Sequence, residues 1–153
     1  MSCLELKVPP PLVGLSIALL MWLASRAAPG LAWHLTARAA VVLGLVAWGL
    51  GISIAGVVSF ARAHTTVNPL KPGAASSLVT AGIFRFTRNP MYLGLLVILI
   101  GWAVFLSNAV SFLLLPVFVL YMNRFQIGPE ERALSGIFGA EFAAYRSRVR
   151  RWL

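Results

Sequence analysis

The stretch Met91–Asn123, "MYLGLLVILIGWAVFLSNAVSFLLLPVFVLYMN", carries no charged residue from end to end. A helix crosses the hydrocarbon core with about 20 residues, so a single span would have to tilt steeply to bury the whole run. Ser107-Asn108 lies near its middle and supplies turn chemistry. The stretch therefore reads as a tight hairpin of two short spans, about 91–106 and 109–125. Upstream, Ala39–Ala61 is another uncharged run, long enough to cross unaided. The first apolar run, Leu12–Ala24, follows Pro9-Pro10-Pro11 and is ended by Arg26 and Pro29. It predicts a span at about 12–28, although a position so near the start also fits a cleaved signal peptide. The expectation is an all-α integral membrane protein with about four transmembrane helices, the last two a short hairpin. A connector at 62–90 and a C-terminal amphipathic helix within 126–153 complete a single domain over 1–153.

Composition supports this reading and narrows the partners. Hydrophobic residues make up 59% of the chain and charged residues 11%, against about 25% charged in soluble domains. The net charge of +9 would suggest nucleic acid in a soluble protein. Here the basic residues flank apolar runs, so anionic membrane lipid is the better partner and nucleic acid is not expected. With four spans, one side of the membrane holds every Lys and Arg except Arg26 and Arg38. The positive-inside rule makes that side cytoplasmic, with both termini on it. The single Cys3 and two distant His give neither a disulfide nor metal-ligand spacing.

The polar segments carry what chemistry there is. The connector, "RAHTTVNPLKPGAASSLVTAGIFRFTRNP", is too long for a simple membrane turn, and its apolar "LVTAGIF" argues for an ordered segment lying on the protein. It ends at Arg88-Asn89-Pro90, where Asn suits an N-cap and Pro the first helical position. Arg88 and Tyr92 are explained equally well as interface anchors or as one wall of a site. In the tail, Gly128-Pro129 reads as a helix start with acids in its first turn. At 100° per residue, Leu134, Ile137, Phe138, Phe142, Tyr145 and Val149 form one stripe, with Arg132, Arg146 and Arg150 facing away. Glu130, Glu131 and Glu141 fall inside or at the edge of that stripe. Carboxylates aimed at protein or membrane need partners, which Arg85 and Arg88 or a cationic ligand would supply.

Two separated motifs, "LVTAGIFRFTRNPMYLG" and "EERALSGIFGAEFAAYRSRVRRWL", resemble the isoprenylcysteine carboxyl methyltransferase family and its phospholipid N-methyltransferase relatives. The resemblance covers roughly Phe60–Leu153 and is that of a short, bacterial-type member. It implies an S-adenosyl-L-methionine-dependent enzyme without a soluble Rossmann-type fold, in the bacterial cytoplasmic membrane. Carried over residue by residue, it implies a cofactor pocket lined by Gly82, Ile83, Phe84, Arg88, Asn89, Pro90, Tyr92, Glu130, Glu131 and Tyr145. Arg88 and Glu131 are the implied catalytic residues, and no metal is implied. Two positions depart from the family pattern: Asn89 stands where His is usual, and Phe142 where Tyr is usual. The implied acceptor is a membrane-partitioned isoprenoid or prenylcysteine-like carboxylate, or a lipid headgroup. Its tail would enter between the hairpin and the second helix, where Gly44, Gly49, Gly51 and Gly56 either make room or permit close helix packing. The alternative is a non-catalytic membrane subunit or lipid-binding protein that retains the same scaffold.

Overall fold

A computed structural model describes residues 5–63 and 77–153; Cys3, His64 and the central part of the connector lie outside the described residues. The helices are α1 (Pro10–Ala27), α2 (Arg38–Arg62), α3 (Pro90–Leu106), α4 (Ala109–Phe112), α5 (Leu114–Tyr121) and α6 (Gly128–Arg148). Among the described residues there is no strand. The protein is an all-α membrane protein, in which α1 and α2 are each long and apolar enough to cross a bilayer and α3 is shorter.

The hairpin turns at the predicted place. Ser107 ends α3 in the left-handed region at φ 50, and Asn108 caps α4 by accepting the Val110 N–H. The Asn108 amide also donates to the Ala28 carbonyl at 2.8 Å, and the Trp33 N–H donates to the Ser107 carbonyl at 2.9 Å. The loop between α1 and α2 thus satisfies the polar groups that the turn would otherwise expose to lipid.

Two very different contacts hold α3. On one side Gly94 faces Gly49 of α2, and a Cβ added at Gly94 would meet the Gly49 carbonyl oxygen at 2.4 Å. Only glycine allows this approach, so Gly49 and Gly56 serve close packing, while Gly44 and Gly51 face open space. The expected gap between α2 and the hairpin is therefore absent. On the other side α1 meets α3 loosely. The Trp102 Nε1–H donates to the Ala18 carbonyl at 3.0 Å, and a groove of about 760 Å³ opens between the helices. Pro11, Leu15 and Trp22 line it from α1, and Leu95, Ile98 and Trp102 from α3. Along its inner face α1 contributes Val13, Ile17 and Met21 to the core with Leu99, Phe118 and Met122, so it is a working part of the bundle.

The second arm of the hairpin departs from expectation. Pro116 breaks it at Leu113, between α4 and α5, because a proline cannot donate to the carbonyl four residues back. Past Tyr121 the chain then continues as helix. Met122–Ile127 forms a π turn that leads directly into α6, so Gly128-Pro129 starts no new helix. Pro129 has no N–H for the Phe125 carbonyl, and the wide turn gives its ring room. That carbonyl accepts the Leu6 N–H at 3.0 Å instead. Glu5 fixes the same N-terminal segment through Arg124 at 3.0 Å and Arg132 at 2.8 Å, while the Gln126 amide donates to the Val8 carbonyl.

The helix α6 is also not one continuous amphipath. Gly139, at φ 48, breaks its geometry, and the 100° progression does not carry across it. As a consequence Glu141 and Ile137 are exposed, contrary to the single stripe read from the sequence, whereas Phe142 and Tyr145 are buried.

Candidate active site

The connector's last described residues fold onto the bundle as anticipated. Val79 and Phe84 are buried, and Gly82–Arg85 makes one 3₁₀ turn entered through Gly82 at φ 62. The Phe84 ring meets Phe60 of α2 edge-on at 5.2 Å, and its carbonyl accepts the Tyr145 hydroxyl at 2.7 Å. Tyr145 is thus committed to holding this turn. Burial pushes its hydroxyl up to about 12, with Arg88 opposing.

Arg88, Asn89, Pro90 and Tyr92 follow at the start of α3, and α6 brings Glu130 and Glu131 against them. Arg88 Nη2 lies 3.0 Å from Glu131, with the two side chains 11% and 12% exposed. Burial lowers the Arg88 pKa and the Glu131 charge raises it again. Its Nε and Nη1 are buried and have no hydrogen-bond partner among the described residues. Arg85, the other expected partner, is exposed.

Adjacent carboxylates meet opposite surroundings. One residue turns the helix by about 100°, so Glu131 faces the chain terminus while Glu130 faces α3. Glu131 forms an ion pair with Arg88 and takes a two-pronged contact from Arg151, Nη2 at 2.6 Å and Nε at 3.1 Å. Among the described residues Glu130 has only the Tyr92 hydroxyl. Burial pushes the Glu130 carboxyl up to about 8, Tyr92 opposes, and the neighbouring Glu131 charge adds to the rise.

Asn89 does not cap α3 with its side chain. Its amide donates to the Arg151 carbonyl at 2.8 Å, and the Arg88 N–H donates to the Arg150 carbonyl at 3.1 Å. The tail leaves helix at Val149, with φ −121 and ψ 131, and crosses back over the start of α3. Asn123 Oδ1 in the π turn anchors its end, accepting Trp152 Nε1–H at 3.0 Å and Arg151 Nη1–H at 3.4 Å. Sequence reasoning missed Arg151 and Asn123. Helical periodicity cannot place a residue beyond the last turn, and a lone Asn at the end of an apolar run reads as a boundary.

The arrangement presents buried donors on Arg88, a carboxyl on Glu130 whose ionisation burial opposes, and the backbone of 82–84 within one end of the bundle. Among the described residues no cluster of His, Cys, Asp or Glu has metal-site geometry.

The phospholipid methyltransferase family model matches residues 37–141, taking in α2 and stopping short of Tyr145. An uncharacterised protein of Haemophilus influenzae is 46% identical over 63 residues, 41% of this chain and all of that protein. Protein-S-isoprenylcysteine O-methyltransferase B of Arabidopsis thaliana is 29% identical over 93 residues, covering 61% of this chain and 47% of the relative. The protein-S-isoprenylcysteine O-methyltransferase of Schizosaccharomyces pombe is 28% identical over 107 residues, 70% of this chain and 45% of the relative. The chain spans about half the length of these two methyltransferases. No solved structure matches it significantly. With a family match that covers most of its length and takes in α2, α3 and both glutamates, the chain belongs to the phospholipid methyltransferase family.

Proposed function

We propose that this protein is an S-adenosyl-L-methionine-dependent methyltransferase acting on a membrane-partitioned acceptor, with its site at the cytoplasmic face. The observation that carries the reading is Arg88. A guanidinium that is buried, paired through one nitrogen and, among the described residues, unpartnered at Nε and Nη1 is set to receive an anionic group. The donor set fits the cofactor, which offers a carboxylate for Arg88 and amino and hydroxyl donors for Glu130. When bound, S-adenosyl-L-methionine supplies a methyl group on a cationic sulfonium, a good leaving group. The protein's part is then to bind, to orient and to exclude water. Glu131 holds Arg88 in place. Glu130, kept uncharged by burial, stays able to donate as well as accept, and Pro90 and Ile83 contribute apolar wall.

The acceptor's chain belongs in the groove between α1 and α3, since α2 closes the other flank. The groove is apolar, opens toward lipid, and begins at Pro11 and Leu95, one turn from Tyr92. An isoprenoid or prenylcysteine-like carboxylate and an amine-bearing headgroup both carry a tail that fits it.

Titration calorimetry of the detergent-solubilised protein with S-adenosylmethionine or S-adenosylhomocysteine tests the reading. Binding is expected. The absence of both heat and thermal shift at millimolar ligand, from a folded sample, would favour the non-catalytic alternative. Radiolabelled methyl transfer to a prenylcysteine analogue or to phosphatidylethanolamine vesicles then identifies the acceptor class.

A further inference from the structure

We infer that Arg151, third from the end of the chain, is a positioning residue for this site. It acts from both ends. Its guanidinium grips Glu131 in a two-pronged contact at 2.6 and 3.1 Å, and its carbonyl receives the Asn89 amide at 2.8 Å. Thr87 Oγ1 reaches the same carbonyl at 3.4 Å and accepts the Asn89 N–H at 3.2 Å. Every residue from Thr87 to Asn89 is therefore tied to the segment Arg150–Arg151. Glu131 would otherwise rotate freely around its one contact with Arg88. Held by Arg151 on one edge, it presents a fixed oxygen to Arg88 Nη2, which aims Nε and Nη1 away from it. A forked guanidinium does this, whereas a point charge does not.

The inference rests on the proposed function only for its choice of ligand. The variant Arg151→Ala keeps the backbone carbonyl, and Trp152 remains packed on the core and bonded to Asn123. Loss of the side chain should therefore leave the tail docked and the thermal midpoint close to that of wild type. Affinity for S-adenosylhomocysteine is expected to fall about tenfold or more. Millimolar guanidinium ion should restore part of it, and Arg151→Lys should restore less than the native fork does. A merely structural residue would show neither pattern. Hydrogen exchange at residues 87–89 provides a readout without ligand, and faster exchange is expected in Arg151→Ala. Unchanged affinity in that variant would overturn the inference while leaving the methyltransferase reading intact. Should wild type fail to bind, that reading falls instead, and unchanged exchange at 87–89 would still overturn the role of Arg151.

Discussion

Glu130 and Glu131 are neighbours in sequence and belong to different regions of the molecule. Glu131 sits on the tail side between two guanidiniums, paired with both. Glu130 sits on the α3 side beneath a tyrosine hydroxyl, where burial opposes ionisation. One helical step converts the same residue type from a fixed anion into a group with a proton to keep. The difference teaches that the pair is no simple N-terminal cap, since both side chains are spent on partners far away in sequence.

The largest expected effect is on the tail side. Glu131→Gln strips the counter-charge from Arg88, which is as buried as its partner. Leaving a buried cation unpaired should cost about 3 kcal/mol, read as a lower thermal midpoint. A change within a few tenths would mean that the carboxylate serves only the helix dipole. Tyr92→Phe comes next, removing the one hydrogen-bond partner of Glu130 among the described residues at a cost of about 1–2 kcal/mol, while the Arg88 contacts survive. Equal damage to both sides would erase the distinction between the two carboxylates.

The most diagnostic effect across pH belongs to Glu130→Gln. The folded protein raises this carboxyl from its ordinary 4.5 to about 8. Below pH 4.5 the group is protonated in both folded and unfolded chains, and its contribution to stability is fully present. As pH rises toward 8 the unfolded chain ionises first, so that contribution is progressively lost. The thermal midpoint of wild type should carry a downward component between about pH 5 and 8 that Glu130→Gln lacks. Parallel profiles for the two proteins would show that Glu130 is already ionised.

Much of the fold was legible because lipid imposes simple rules. The uncharged block Met91–Asn123 and its polar middle predicted the hairpin and its turn. Pro129 misled, because proline marks a helix start unless something else takes the carbonyl it abandons, and Leu6 lies far away in sequence. The site was legible in kind and not in detail. Excess acid on an inward face pointed to Arg88, yet nothing in "PEER" separates Glu130 from Glu131. Glu141 was misassigned because Gly139 resets the helical phase. Arg151 acts from an extended tail, where no periodicity applies, and Asn89 serves that tail instead of its own helix.

The bond between Leu6 and the Phe125 carbonyl has a consequence for how the chain is made. Synthesis is vectorial, and residue 6 leaves the ribosome long before residue 125 exists. The start of the chain must therefore wait beside the membrane until nearly everything else has been inserted. Only then does it find the carbonyl that Pro129 left open and the two arginines that receive Glu5. Closing so long a loop is slow relative to pairing neighbouring helices. The N-terminal segment thus docks only after residues 124–132 have been made, and a bulky fusion there would act on that docking.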